Sequence, residues 1–320
     1  MKKEITYSII IPHKNIPKLL QRCLDSIPQR DDLEIIIVDD NSDPRIVNFD
    51  KFPGGDRDDV ITIFDKDGSG AGHARNLGLE RAQGEKLLFV DADDYFNYCI
   101  REVLDEYKED ETDLVFFNMS SADSDLYTVS IRAGYLQTIY QLRETSEEKA
   151  LFLMRYSNGS SCSKLIKHSV VKEHKIKFDE TPIHNDTRFA YLVGFYSKTH
   201  KMDPRAIYCA TYRGDSISFK LDDEKILKRV EILAKRDAFF RDHGIRYDNL
   251  VDIHIFSMAS YFEAKNEELY TKAVKIFEEE GFSKKEVSQR VEKEISRRKR
   301  ARRKRKIKNI LKSLLKVFTR

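Results

Sequence analysis

The sequence has no long apolar run, no tryptophan and only four cysteines among its 320 residues. No stretch approaches the roughly 18 uninterrupted apolar residues that a membrane-spanning helix requires. The apolar run near the first residue is too short for a secretory signal. The cysteines (Cys23, Cys99, Cys162 and Cys209) show neither C-x-x-C nor zinc-ligand spacing, which indicates reduced, buried thiols. We therefore expect a cytoplasmic protein.

Two phosphate-binding patterns are also missing. No G-x-G-x-x-G motif follows the first apolar run, and no G-x-x-x-x-G-K-[ST] loop occurs. In dehydrogenases and P-loop NTPases these glycines let backbone N–H groups surround phosphates. Their absence disfavours both classes of protein.

Charge is distributed unevenly along the chain. The composition, 40% hydrophobic and 35% charged, suits a soluble globular protein of one large or two smaller domains. The net charge is +3, but residues 297–320 carry thirteen Lys or Arg and no acid, which leaves −10 for the rest. An acidic body is thus followed by a strongly basic tail.

Short β-branched runs alternate with helical spacing in the first 118 residues, which predicts a mostly parallel sheet covered by helices. The predicted strands are 7–12, 33–38, 60–64, 87–90 and 114–118, with helices at 18–27 and 71–82. Residues 120–141 are polar and then alternate between apolar and polar, which suggests a hairpin insertion. Residues 146–217 are expected to complete the site with helices and short strands. Residues 222–282 show helical spacing that favours packing on the core or on a second subunit, as in a homodimer.

The run KLLFVDADD, residues 86–94, is the most informative part of the sequence. A buried strand ends in Asp91, Asp93 and Asp94, at the edge where open α/β sheets bind ligands. Clustered carboxylates repel one another, and a divalent cation shared with a diphosphate would offset that repulsion. An acidic loop or a helix N-cap is the alternative.

Three other segments bring polar groups to the same predicted edge. YSIIIPHK ends with a turn at Pro12, and IIVDDNSD ends with Asp39 and Asp40, which can accept hydrogen bonds from a base or ribose. In GSGAGHARNLG the glycines permit close backbone approach, and Arg75 offers several donors to a base or phosphate.

Four ordered segments resemble the family-2 glycosyltransferases, inverting enzymes with the GT-A fold. They are SIIIPHKN, IIIVDDNSD, GAGHARNLGLERAQGEKLLFVDADD and FDETPIHNDTRF, and the resemblance covers about two thirds of the chain, from residue 7 to 218. It implies an α/β fold: a GT-A-type, mostly parallel nucleotide-binding sheet flanked by helices, with a helical C-terminal extension. The implied divisions are a GT-A domain 1–218 with a nucleotide-binding half 1–118 and an acceptor-side half 119–218, a helical extension 219–296 and a basic amphipathic tail 297–320.

The resemblance also implies roles for the residues that bind the donor. Asp39, with Asp40 beside it, would contact the base, Pro12 would line the nucleoside pocket and Arg75 would lie beside the base. Asp91 would face the ribose or sugar, and Asp93, assisted by Asp91, would hold Mg²⁺ or Mn²⁺ on the diphosphate. Asp94 would contact the donor sugar or cap the next helix.

Asp186 is the candidate general base. Relatives commonly carry a Glu-Asp pair there, whereas this chain has Asn185 before Asp186. An N-cap role for Asp186 in the following helix is the alternative, and both roles are compatible. Glu180 and His184 are the other candidate bases.

Two further segments match the family less strongly. Tyr212–Ser218 resembles a loop that closes near the diphosphate, with Arg213 as a ligand; an exposed arginine in a turn is the alternative. Cys162–Lys164 matches a segment near the acceptor. The Q-x-x-R-W motif of processive relatives is missing, which favours transfer of a single sugar.

In the tail, charge at 297–306 is followed by apolar residues at helical spacing. This pattern suits an anionic membrane surface, where a lipid-linked acceptor would be found. A solvated helix and a dimer contact are the alternatives; nucleic acid is not expected, because no aromatic stacking platform accompanies the basic run.

The sequence thus predicts a metal-dependent inverting glycosyltransferase. It would move one sugar from a nucleoside-diphosphate sugar, expected to be a UDP-sugar, to a hydroxyl of a glycan or lipid-linked acceptor. We expect it to act in polysaccharide or glycoconjugate assembly at the inner face of the membrane. The alternatives are a nucleotidyltransferase, which would need a G-x-G-x-R loop where this chain has PHKN, and a non-catalytic membrane-associated adaptor.

Overall fold

A computed structural model describes residues 4–214, 222–246 and 253–318 of the chain. The chain divides into two compact units, Met1–Lys220 and Leu221–Arg320.

The first unit is built on an eight-stranded sheet, with the strand order β3-β2-β1-β4-β7-β6-β8-β5. Strands β1 to β4 pair in parallel, β7 is antiparallel to both β4 and β6, β6 and β8 are parallel, and β5 is antiparallel to β8. The strands are β1 (Tyr7–His13), β2 (Leu33–Asp40), β3 (Val60–Asp65), β4 (Lys86–Phe89), β5 (Tyr95–Phe96), β6 (Leu114–Asp123), β7 (Lys164–Lys167) and β8 (His200–Tyr212). The predicted α/β, mostly parallel fold is confirmed.

The central strands are buried on both faces, and this explains their continuous apolar sequence. Every residue of β1 and β2 is buried, and Ile10 and Ile36 lie side by side in register. Pro12 lies within β1 opposite Val38, so the predicted turn is displaced, and the strand ends one residue later at His13. The parallel register brings the carboxyl ends of β1, β2 and β4 to the same edge of the sheet.

Seven helices of the described residues accompany this sheet: α1 (Pro17–Asp25), α2 (Ala71–Arg81), α3 (Ile100–Glu106), α4 (Gly134–Arg143), α5 (Glu147–Tyr156), α6 (His168–Glu173) and α7 (Thr187–Tyr196). Helix α2 packs on β1 so closely that a methyl group built on Gly78 would lie 2.5 Å from Cγ2 of Ile10. Glycine is therefore required where the helix meets the sheet.

The predicted hairpin at 120–141 forms only in the first part of that segment, where residues 121–123 pair with residues 128–130. Strand β6 continues to Asp123, and a single bridge between Ala122 and Val129 closes the turn that follows. The rest of the segment forms α4, because Leu136 and Ile139 recur at helical spacing and are buried, whereas Val129 is exposed.

The second unit is helical, as its sequence predicts. Its helices are α8 (Asp223–Asp242), α9 (Ile253–Glu263), α10 (Glu267–Glu279) and α11 (Lys284–Phe318). Val230, Met258, Phe277 and Val287, one from each helix, are all buried in a core of their own. In the part of the chain that the structure describes, no helix is both long and apolar enough to span a membrane.

The tail prediction is only partly covered by the structure. Helix α11 runs through residues 297–318 without a break, but the side chains of residues 304–320 lie outside the described residues. Arg298, at the beginning of the basic run, is 8% exposed and donates to Glu263 and Ser260. This arginine is therefore part of the packing of the helical unit.

Candidate functional site

The acidic loop after β4 lies at the carboxyl edge of the sheet. Carboxylate oxygens of Asp91, Asp93 and Asp94 all lie within 4.8 Å of one another. The side chains of Asp91 and Asp93 are 34% and 18% exposed, whereas Asp94 is buried. Burial and then repulsion by Asp91 raise the pKa of Asp93, which shows that these like charges crowd one another.

Asp94 holds the acidic loop against β8. Its two carboxylate oxygens accept hydrogen bonds from the hydroxyl of Tyr208 and from the backbone N–H of Thr211. Burial, followed by the charges of Asp93 and Asp91, raises the pKa of Asp94 to about 7. The alternative role of Asp94 as a helix cap is wrong, because the next helix begins at Ile100 with Cys99 as its N-cap.

Two of these acids meet the requirements of a divalent cation. Mg²⁺ and Mn²⁺ prefer hard carboxylate oxygens together with phosphate oxygens. Asp91 and Asp93 each offer a partly exposed carboxylate, whereas the oxygens of Asp94 are already engaged. The donor set therefore fits a metal held by Asp91 and Asp93.

Arg75 joins the acidic loop to the segment before α7. It lies on α2, is 5% exposed, and donates to a carboxylate oxygen of Asp91 and to Oδ1 of Asn185 at 2.7 Å. Burial opposes the positive charge, but Asp91 and Asp186 outweigh it and raise the pKa of Arg75 above its usual value. The Asn185 that replaces the family's glutamate is thus a hydrogen-bond partner of Arg75.

Asp186 lies beside the same arginine. It occupies the N-cap position of α7, but its side chain makes no capping hydrogen bond, so the capping alternative is not realised. Burial raises the pKa of Asp186, Arg75 lowers it and Asp91 raises it. The carboxyl group is therefore held in an environment that makes it more basic than a surface aspartate.

The other two candidate bases are engaged elsewhere. Nδ1 of His184 lies 3.3 Å from Oγ1 of Thr187. An oxygen of Glu180 lies 3.1 Å from Nδ1 of His73 and accepts from Asn76, and these contacts lower the pKa of Glu180.

Asp39 is part of a closed hydrogen-bond network at the end of β2. It is 1% exposed and accepts from the backbone and hydroxyl of Ser42, and one of its oxygens lies 2.7 Å from Nδ1 of His13. Burial opposes these contacts, but together they lower the pKa of Asp39. The predicted contact of Asp39 with the nucleobase of the donor stays a prediction.

Asp40 connects β2 to the glycine-rich loop. One of its oxygens accepts from Lys14 at 3.0 Å and the other from the backbone N–H of Gly70 at 2.9 Å. Gly70 has φ 95° and is the N-cap of α2, a conformation that favours glycine. Pro12 is buried in β1, and its role in a nucleoside pocket also stays a prediction.

Arg213 lies next to the acidic loop, and its predicted role as a ligand of the diphosphate stays a prediction. Its Nη2 is 3.2 Å from Oδ2 of Asp93. Residues 215–218 of the predicted closing loop lie outside the described residues.

Sequence reasoning missed two arginines at this edge. Arg22 on α1 donates to the backbone oxygen of Asp93, and its guanidinium lies over the ring of Tyr127. Arg132 donates to the backbone of Thr211 and, against the effect of burial, has a raised pKa because Asp94 and Asp93 are near. No local pattern marks either arginine, because both meet the acidic loop through long-range folding.

A second acidic group lies at the end of β3. Ligand atoms of Asp65, Asp67 and His73 lie within 4.8 Å of one another. Asp65 accepts from the backbone N–H groups of Asp67 and Gly68, as in an ordinary turn.

Together, the sheet order and the polar carboxyl edge define a GT-A-type α/β protein. The family model described as glycosyl transferase family 2 matches residues 8–174, slightly more than half of the chain. The chain belongs to glycosyl transferase family 2, and the resemblance inferred from its sequence is confirmed.

Two curated relatives show how far the similarity extends. The putative glycosyltransferase EpsH of Bacillus subtilis is 28% identical over 202 residues, which cover 60% of this chain and 56% of EpsH. TarS of Staphylococcus aureus, a poly(ribitol-phosphate) beta-N-acetylglucosaminyltransferase, is 26% identical over 216 residues, which cover 65% of this chain and 36% of TarS. The chain therefore spans between a third and three fifths of these relatives.

Solved structures share the fold. Residues 1–349 of S. aureus TarS in complex with UDP-GlcNAc match with a TM-score of 0.63 and 19% identity, covering 85% of this chain and 80% of that one. The mannosyltransferase PcManGT of Pyrobaculum calidifontis, in complex with GDP-Man and Mn²⁺, matches with a TM-score of 0.54 and 17% identity, covering 86% and 74%.

Proposed function

We propose that the chain is an inverting glycosyltransferase that moves one sugar from a nucleoside-diphosphate sugar to a hydroxyl acceptor. The observation that carries this proposal is the convergence of Asp91, Arg75 and Asp186 from three distant segments at the carboxyl edge of the sheet. A donor binder needs acids for the metal, and a transferase also needs a base. In this proposal Asp91 is one of the acids and Asp186 is the base.

In this proposal Asp186 accepts the proton of the acceptor hydroxyl as its oxygen attacks the anomeric carbon. The attack is in line with the departing diphosphate, so the configuration at that carbon inverts. Arg75 lowers the pKa of the Asp186 carboxyl group and so favours its ionised form, whereas burial raises that pKa and so increases its basicity. Asp91 and Asp93 would hold a Mg²⁺ or Mn²⁺ ion that neutralises charge on the leaving diphosphate.

The similarity to TarS supports a uridine donor and a polymeric acceptor, whereas the neighbour PcManGT was solved with GDP-Man. TarS is named for N-acetylglucosaminyl transfer to poly(ribitol phosphate), and its structure was solved with UDP-GlcNAc. By analogy, we propose that this chain uses a UDP-sugar and acts on a glycan or lipid-linked acceptor in polysaccharide or glycoconjugate assembly. The proposed location is the cytoplasm, at the inner face of the membrane, where the basic tail would bind anionic lipid.

The base is tested by measuring UDP release from UDP-GlcNAc and UDP-glucose in the presence of Mn²⁺. Asp186→Asn is expected to lower the rate about 100-fold or more, the usual contribution of a positioned general base. Glu180→Gln and His184→Gln serve as matched variants and should stay near the wild-type rate. Unchanged turnover in Asp186→Asn, with loss in either matched variant, would assign the base to that other residue.

A further inference from the structure

Lys164 is a buried lysine that the proposed reaction does not yet use. It begins β7, is 1% exposed, and its ammonium donates to the backbone oxygens of Asn158, at 3.0 Å, and of Ser160. The ammonium also lies 5.8 Å from the centroid of the Phe116 ring. Among the described residues, no acid forms an ion pair with it. Its charge is thus held by carbonyl groups.

The two carbonyls belong to a turn that touches the N-terminus of α7. Gly159 lies between them, and a methyl group built there would be 3.2 Å from Oγ1 of Thr187. Thr187 is the first residue of α7 and directly follows Asp186. By binding this turn on both sides of Gly159, Lys164 fixes the backbone against which the start of α7 packs.

Lys164 also acts on Asp186 through its charge. The charged groups with the largest effects on Asp186 are Arg75 on α2, Asp91 after β4 and Lys164 on β7. Arg75 is shared with Asp91, to which it donates directly. Burial lowers the pKa of Lys164 to about 8, while Asp186 works in the opposite direction. The two groups therefore favour each other's charged form.

We propose that Lys164 is a positioning residue that acts through Asp186, by holding the 158–160 turn against the start of α7 and by placing its positive charge near the carboxyl group. This inference rests on the proposed role of Asp186 as the base. It assigns to Lys164 no contact with the donor or the acceptor.

The test compares Lys164→Gln, which is neutral and retains a hydrogen-bond donor, with Lys164→Arg, which retains the charge. Rates of UDP release from UDP-GlcNAc with Mn²⁺ are measured from pH 5 to about 9. The acid limb of the pH–rate profile, where the rate falls as Asp186 becomes protonated, should move to higher pH in Lys164→Gln. At a fixed pH on that limb, each pH unit of displacement lowers the rate about a further tenfold. Lys164→Arg should keep the wild-type limb. A purely structural role would lower the melting temperature of both variants and leave the limb in place.

A second measurement needs no substrate. Carbon-13 carboxyl NMR of the full chain follows the titration of Asp186, whose signal is assigned by its loss in Asp186→Asn. The pKa of Asp186 should rise in Lys164→Gln and in Lys164→Met, which serves if the glutamine variant does not fold. Coincident titrations in wild type and both neutral variants would overturn the inference. Full turnover in Asp186→Asn would instead overturn the proposed base, while the titration would still report on Lys164.

Discussion

Asp94 illustrates at the scale of single residues how folding changes the meaning of a sequence motif. In the sequence it is one of three equivalent acids, but in the fold both of its oxygens accept hydrogen bonds from β8. Burial raises its pKa from 3.8 to about 7. Between about pH 4 and pH 7, the protonated form of Asp94 is therefore favoured in the folded protein and the ionised form in the unfolded chain.

This shift predicts how stability depends on pH. Between about pH 4 and pH 7 the folded state binds the Asp94 proton that the unfolded state has lost, so this residue's contribution decreases as pH rises. The contribution of Asp94 to the free energy of unfolding is fully present below pH 3.8 and is lost as the pH rises through about 7. Asp94→Asn should remove this slope, so its stability relative to wild type should increase with pH. Urea unfolding at several pH values measures it, and parallel curves for the two proteins would contradict the assignment.

At the scale of secondary-structure elements, the site depends on close contact between α2 and the segment before α7. A methyl group built on Gly72 would lie 2.1 Å from the backbone oxygen of Asp179 and 3.1 Å from Cβ of Asn185. Since Asn185 accepts from Arg75, any separation of these segments would disturb the hydrogen bond between them.

Gly72→Ala should therefore destabilise the protein by about 1–3 kcal/mol, as expected for overpacking against a backbone that cannot yield. Gly134→Ala is the matched control, because nothing lies within 4 Å of the added methyl group and alanine favours α4. Urea midpoints measure both variants. Equal effects would show that α2 is not in close contact with the segment before α7.

The elements that the sequence predicts well are those with a local cause. The apolar run of β2 and the spacing of α2 are each visible within a dozen residues, and both elements are found close to their predicted bounds. The pairing of β6 with β8, whose partners lie nearly ninety residues apart in the chain, has no local cause, and it could not be predicted. For the same reason the acids of the site were visible in the sequence, whereas Arg22 and Arg132 were not.

At the scale of the whole molecule, the basic tail is the largest predicted feature whose side chains lie mostly outside the described residues. Arg298 packs against Glu263, so a deletion should begin after this arginine. Ending the chain at Arg303 keeps that contact and removes seven Lys or Arg.

Flotation with vesicles that contain phosphatidylglycerol should separate the two forms. Each basic residue near an anionic surface contributes about 1 kcal/mol, so the full chain should float at low salt and be released at high salt. The chain ending at Arg303 should remain with the soluble fraction. Equal flotation of both forms would remove the membrane role of residues 304–320.

The central claim is that acids at the carboxyl edge of the sheet hold a metal against the diphosphate of a nucleotide. Its most direct test is the thermal stabilisation of the full chain by UDP, with Mn²⁺ or with EDTA. UDP at 100 times its Kd should add about 2.7 kcal/mol to stability with Mn²⁺. Most of this gain should be lost with EDTA and in Asp93→Asn. The matched control Asp105→Asn, in which the 72% exposed side chain of Asp105 is changed, should keep the gain. A gain in EDTA or in Asp93→Asn as large as that of the wild type with Mn²⁺, or no gain with any nucleoside diphosphate tried, would contradict the account.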